Sequence, residues 1–251
     1  MTKYASKDVG FFTVGQYNLL AVTGKIEDSA TLPLVDTTPL GVANEEYSSG
    51  GVRRYELTQE GWFDDAAGSM HDALVGLPAG ERVLMLAHQG NARGKGFIGA
   101  AGTLTVGYRR AVDVGDVARA NGSYAISGGI QEGLIIERLV AHGADGNTNG
   151  TYVDLGGART QGGYVYLVVT SIDWSGRPSL TVTLTDSSDH IAFGDHTAMT
   201  AVDAPATGAA ERKLLSADAV KQYLAVKWAW GGAGGSPSAT FAVGVYLNPE
   251  P

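Results

Sequence analysis

The 251-residue sequence has no cysteine. Disulfides, thiolate nucleophiles, iron–sulfur clusters and Cys-ligated zinc are thereby excluded, so the fold must hold by packing and ladder hydrogen bonds, as suits assembly in a reducing cytosol. Charge is scarce too, at 18% of residues, and cations are the minority, with 18 Lys and Arg against 26 Asp and Glu for a net −8. Gripping nucleic acid through its phosphates needs clustered Lys and Arg, so tight DNA binding is not expected. No apolar run approaches the roughly 18 residues of a membrane span. Residues 1–12 lack the basic and apolar regions of a signal peptide, and the expectation is a soluble, unprocessed chain with no membrane partner. What the sequence has in quantity is 36 Gly, 11 Tyr and many Val and Thr. That composition belongs to short strands joined by tight turns.

Periodicity places the strands. Val9–Thr23 alternates around Gly15 and Asn18 as a hairpin, and 28–51, with Pro33, Pro39 and no sustained period, reads as a long loop for intersubunit contact. Val52–Phe63 alternates polar and apolar groups on both faces, so at least one face is expected to meet solvent, a channel or a neighbouring subunit. Asp64 and Asp65 are expected to cap a short helix carrying Met70, Ala73 and Leu74, and Asp113–Asn121 suggests a second. Strand patterns follow at Arg82–His88, the end of Gly94–Val106, Tyr124–Val140, Tyr164–Ile172, Ser179–Leu184, Val220–Trp230 and Thr240–Leu247. His142–Thr151 reads as an exposed tip or crossing. The predicted fold is mainly β, barrel or sandwich, with one or two short helices and two β-rich domains, 1–158 and 159–251.

Chemistry is sparse. Gly90–Gly96 (GNARGKG) fails the phosphate-loop spacing and lacks the following Ser or Thr, leaving Arg93 and Lys95 as candidates to meet Glu45 and Glu46 of a neighbour. Asp186, Asp189, His190, Asp195 and His196 are the one metal-like cluster, but their spacing matches no calcium loop or zinc helix, and a solvated turn is expected. His71, His88 and His142 stand alone, and the Asn121 and Asn149 sequons carry no weight outside a secretory pathway. No nucleophile elbow occurs. The reading is therefore non-enzymatic, with no catalytic, cofactor or metal residue. Trp62, Trp174, Trp228 and Trp230 raise a carbohydrate-binding or receptor-binding sandwich module as the alternative, although Trp228 and Trp230 share a strand face with Leu224 and Val226, as core residues do.

Gly15–Leu19 (GQYNL), Thr37–Gly41 (TTPLG) and Gly51–Asp65 (GVRRYELTQEGWFDD), followed by Leu180–Asp195 and the final strands, resemble the major tail proteins of siphophages over nearly the whole chain. The resemblance implies a virion structural protein, assembled in the host cytoplasm, whose trimeric or hexameric rings stack into a tube. It implies a tape-measure protein as partner and transient passage of DNA without specific binding. A net acidic chain would let such a lumen repel phosphate.

Overall fold

The structure, a computed structural model, describes residues 8–36, 47–49, 51–77, 79–112, 115–215 and 220–249. In chain order, β1 (Phe12–Val14) and β2 (Tyr17–Asn18) form the predicted hairpin, turning at Gly15 with φ of 61°. A left-handed turn of this kind is open to glycine at no steric cost. There follow β3 (Thr23–Thr31), the short pair β4 (Leu34–Asp36) and β5 (Tyr47–Ser49), and β6 (Arg54–Trp62). Helix α1 (Met70–Leu74) precedes β7 (Arg82–Leu86), β8 (Gly96–Ala111), β9 (Arg119–Ile126) and β10 (Ile130–His142). The remainder comprises β11 (Gly146–Asn147), β12 (Val153–Asp154), β13 (Gly163–Asp173), β14 (Ser179–Ser187) and β15 (Gly194–Ala198), then β16 (Val202–Asp203), β17 (Ala209–Leu215), β18 (Tyr223–Trp230) and β19 (Ser238–Leu247). The fold is mainly β, as expected, but no closed barrel is found among the described residues.

Contacts divide the chain into a first unit of Met1–Ala21, Arg82–Gly99 and Gln131–Pro251, and a second of Val22–Glu81 and Ala100–Ile130. The first unit contains a sandwich. Val165, Leu167 and Val169 of β13 and Phe241, Val243 and Val245 of β19 share one buried cluster with Leu180, Val182 and Leu184 of β14 and Leu224, Val226, Trp228 and Trp230 of β18. These residues recur with period two, the pattern that aims every second side chain at one face, and each stabilises by about 1.5–3 kcal/mol through burial. The intervening residues of β13 are buried as well: Tyr166 and Val168 are fully covered on the opposite face. Phe97 meets Tyr166 there edge to face, with centroids 5.5 Å apart. Burial on both faces explains why β13 reads as a continuous apolar run.

Burial also pushes the Tyr166 hydroxyl up to about 12, against the pull of Arg212, and the hydroxyl donates to Gln131 Oε1. Between pH 10 and 12 the unfolded phenol ionises while the folded one does not, so its contribution to stability is complete below pH 10 and is lost as pH rises through 12. Ultraviolet titration should show one tyrosine ionising only as alkali unfolds the protein, and Tyr166→Phe should remove that late phase.

In the second unit β3, β6, β9 and β8 pair in that order. Met70, Ala73 and Leu74 of α1 are buried, at the predicted helical spacing. Beneath them, Tyr124 donates to Gln59 Oε1 at 2.8 Å and the Gln59 amide donates to Thr23 Oγ1 at 2.5 Å, so the buried Gln59 side chain is satisfied at both ends. Arg54, Glu56, Thr58 and Glu60, on the other face of β6, are exposed.

Three local expectations are corrected. Asp64 does not cap α1: its carboxylate accepts the Ala66 N–H at 2.9 Å in the preceding turn, and Ser69 occupies the N-cap with no side-chain capping bond, its hydroxyl donating to the Asp64 carbonyl at 2.5 Å instead. Within Asp113–Asn121, residues 113 and 114 lie outside the described residues, and from Arg119 the chain is strand, because β9 has ladder partners on both sides. Paired backbone on two edges outweighs weak helical propensity. The loop 28–51 is in part strand: β3 runs to Thr31 and β4 pairs with β5, while Thr37–Glu46, holding Pro39, Asn44, Glu45 and Glu46, lies outside the described residues. Both faces of β3 are exposed beyond Ile26, so hydrophobic periodicity gave no sign of it.

Candidate assembly surface

A sheet is finished where its edges are covered, and the described edges differ in this respect. β2 and β16 are two residues long and β15 is five. Strand β17 is tied down along its length. Glu211 accepts the Thr200 N–H at 2.8 Å and the Thr200 hydroxyl at 2.7 Å, and Lys213 donates to the Ala198 carbonyl at 2.6 Å. Strand β3 is nine residues long, and among the described residues β6 is the only strand it pairs with. In an antiparallel ladder every second residue turns its N–H and C=O away from the partner, so β3 presents a row of such groups outward.

The root of this arm is fixed by close backbone approach. A register shift falls between Thr23 and Lys25, opposite Gly61 and Glu60, and a Cβ on Gly61 would lie 1.9 Å from the Val22 carbonyl oxygen. Only glycine lets the two strands meet there. From that point Glu27–Thr31 extend with both faces exposed.

The residues singled out in the sequence are spread over separate structural duties. Arg93 does not wait for a neighbour: its Nε and Nη2 donate to Glu137 Oε2 at 2.9 and 2.5 Å, inside the same chain. The loop 90–96 docks on β10 where that strand is bulged. Asn91 accepts the Leu139 N–H at 2.7 Å and donates to its carbonyl at 2.9 Å, while the backbones of Gly94 and Lys95 bond Ile135. Asn91 and Glu137 are the residues that sequence reasoning missed. His142 is buried, not on an exposed tip, with its ring 4.3 Å from those of Trp228 and Phe241. His71 bonds the Tyr108 hydroxyl at 3.0 Å, and His88 is half-buried after β7.

The Asp186–His196 group separates. Asp186 is buried and holds Lys221 at 3.0 Å, whereas Asp195 pairs with Lys227 at 2.6 Å. Asp189 closes its own turn: bonds from the Ala192 N–H, the Ser187 hydroxyl and the Ile191 N–H hold its carboxyl down to about 2. His190 lies against Tyr152 and Tyr223, and His196 bonds Thr197 at 2.8 Å. Among the described residues no three His, Asp or Glu side chains are placed to hold a metal ion.

No protein-family model matches this chain, and no curated protein does. Solved structures do. The chain is similar to a component of the virion of a native gene transfer agent particle, with TM-score 0.41 and 16% identity over 52% of this chain and 98% of that one. It is similar to a chain in the tail of an empty gene transfer agent particle of C6 symmetry, with TM-score 0.35 and 16% identity over 43% and 80%. It is also similar to the Dit protein of phage SPP1, described as a hub adsorption apparatus in phages infecting Gram-positive hosts, with TM-score 0.37 and 9% identity over 95% and 99%.

The tryptophans bear on the carbohydrate alternative. Trp174, Trp228 and Trp230 donate their indole N–H groups to the carbonyls of Ala206, Ala144 and Gly143 at 2.8, 2.8 and 2.7 Å. Trp228 and Trp230 are buried with Leu224 and Val226, as their shared strand face suggested. Trp62, at the end of β6, is the one with half its surface open.

Proposed function

We propose that this chain is a structural protein of a phage-type tail, the tube protein, whose copies join edge to edge into rings. The rings, of three or six copies, stack around a tape-measure protein and later around passing DNA. The observation that carries the reading is the nine-residue β3 edge, exposed on both faces beyond Ile26 and, among the described residues, paired on one side only. A long unpaired edge is a hazard to a monomer and an asset to a protein that pairs with its own copies, because pairing satisfies the N–H and C=O row that is otherwise left open. The resemblance of the sequence to siphophage tail proteins points the same way. Among the described residues Asp186, Asp189 and Asp195 are engaged in separate local contacts and do not converge on one polar site from which a reaction would be run. The net charge of −8 suits a wall along which phosphate slides.

Negative-stain microscopy of the concentrated, purified protein is expected to show rings or tubes. Two proline variants on adjacent residues, Glu27→Pro and Asp28→Pro, refine this test. Neighbouring residues of an antiparallel strand point their N–H groups in opposite directions, so one variant breaks the β3–β6 ladder and the other removes only an outward donor. The variant that keeps the native melting temperature should fail to form rings. If it assembles like the parent, the β3 edge is not the joint.

A further inference from the structure

We infer that the outer face of the sheet formed by β12, β18 and β14 binds a glycan: one pyranose ring stacks on Tyr152, Tyr223, His190 and Phe193 while Asp154 accepts from its hydroxyls. This site lies within the first unit and does not depend on how copies join. Strand register builds it. Val153 of β12 pairs with Leu224 of β18, and both are buried, so by alternation their neighbours Tyr152, Asp154 and Tyr223 turn to the opposite face. Asp154 stands directly across from Tyr223. The turn after β14 brings His190 and Phe193 to the same place. Between ring centroids, Tyr152 lies 5.0 Å from Tyr223, 5.7 Å from His190 and 6.2 Å from Phe193, and His190 lies 5.3 Å from Tyr223. None of the four rings belongs to the buried cluster of the sandwich; His190 is exposed and the other three are half-buried.

The rings and the carboxylate are held in place by the chain itself. Asp189 accepts the N–H groups of Ile191 and Ala192 at 3.0 and 2.9 Å and the Ser187 hydroxyl at 2.7 Å, which pins the turn on either side of His190. His190 sits at φ 55°, in the left-handed region that favours glycine, and strain of this kind gathers where a side chain has to be placed. The Gln222 amide at 3.0 Å and the Gly156 N–H at 2.8 Å fix Asp154 and hold its carboxyl below the usual carboxylate range. Both bonds fall on Oδ1, which leaves Oδ2 of this exposed side chain to accept from a ligand. At centroid spacings of 5.0 to 6.2 Å the rings touch, so they form a platform and not a cage with room for a cationic group. Three half-buried rings and a histidine offer roughly a few hundred Å², against the roughly 800 Å² per partner of a standard protein interface. A pyranose matches that size. Its C–H face is drawn to the electron-rich faces of the rings, and its hydroxyls are oriented by a fixed carboxylate.

Saturation-transfer NMR on the full-length protein tests this with methyl α-glucoside, methyl α-mannoside, methyl β-galactoside and N-acetylglucosamine, and with tetramethylammonium as the competing chemistry. At least one sugar is expected to bind with a Kd on the order of 1–10 mM, its ring C–H protons receiving the most saturation. Tyr223→Ala and Phe193→Ala should each cut the transferred signal about tenfold, and Asp154→Asn several-fold. Tyr223→Phe, which keeps the ring, should bind like the parent, as should Trp62→Ala, which removes the half-open indole of the second unit. Melting is measured for every variant, and Asp154→Asn, on an exposed side chain, decides the matter if the ring variants unfold. The platform is overturned, and the tube reading left standing, by any of four results: no binding of the four sugars, binding that Asp154→Asn leaves untouched, loss of binding in Trp62→Ala, or saturation of tetramethylammonium in place of a sugar.

Discussion

Arg93→Ala is expected to destabilise the protein by about 3–5 kcal/mol, a large fraction of the stability of an ordinary domain. The Glu137 side chain is wholly buried and only one of its oxygens has donors, both from Arg93. Among the described residues its Oε1 has no hydrogen-bond partner, and His142 Nε2, 3.6 Å away, has none either. Removing the guanidinium leaves a carboxylate in the protein interior with nothing to replace water. The cost of forming such a pair and the cost of breaking it are unequal: removing both charges, as in Arg93→Met with Glu137→Leu, should recover most of the loss. Urea unfolding of the two single variants and the double variant measures the coupling. A double variant as unstable as Arg93→Ala alone would mean that the loop 90–96 is held by Asn91 and the backbone bonds, with the ion pair secondary.

Phe97→Ala is the second large effect, expected at about 3–5 kcal/mol through lost burial and the cavity left behind. The ring is fully buried, and it occupies space opened by glycines on two other strands. A Cβ on Gly244 would stand 2.6 Å from two of its atoms, and one on Gly133 would stand 2.6 Å from Cε1. Phe97 and Gly244 thus form one volume. Gly244→Ala alone should overpack it by about 1–3 kcal/mol. Combined with Phe97→Leu, it should cost less than the sum of the two single changes, because neighbours that share a space do not add. Strict additivity in denaturant melts would show that the ring and the glycine are not competing for that space.

These two sites mark the limit of what alternation reveals. Trp228, Trp230, Leu224 and Val226 were legible as a buried face because a strand with one face in a core writes that fact with period two. Met70, Ala73 and Leu74 were legible for the corresponding helical reason. Strand β3 was not, since a projecting strand with both faces exposed has no hydrophobic signature and is specified by its partner β6. The GNARGKG segment stood out by composition, yet its role depends on a bulge in β10 some 45 residues later, visible only once Asn91 meets Leu139. Glu137 gave no signal, being a single polar residue inside the otherwise strand-like GLIIERLV, and His142 stood out only as an isolated histidine.

The sequence by itself determined that this chain is built of strands and tight turns, that it holds together without covalent staples, and which alternating residues fill the sandwich. Local periodicity and composition suffice for that, because each strand's pattern reports the two environments on either side of it. Only the tertiary structure decided which strand edge has a single partner among the described residues and which cation neutralises which buried carboxylate. Those outcomes depend on pairing between segments tens of residues apart, and a backbone edge or a salt bridge has no sequence period of its own.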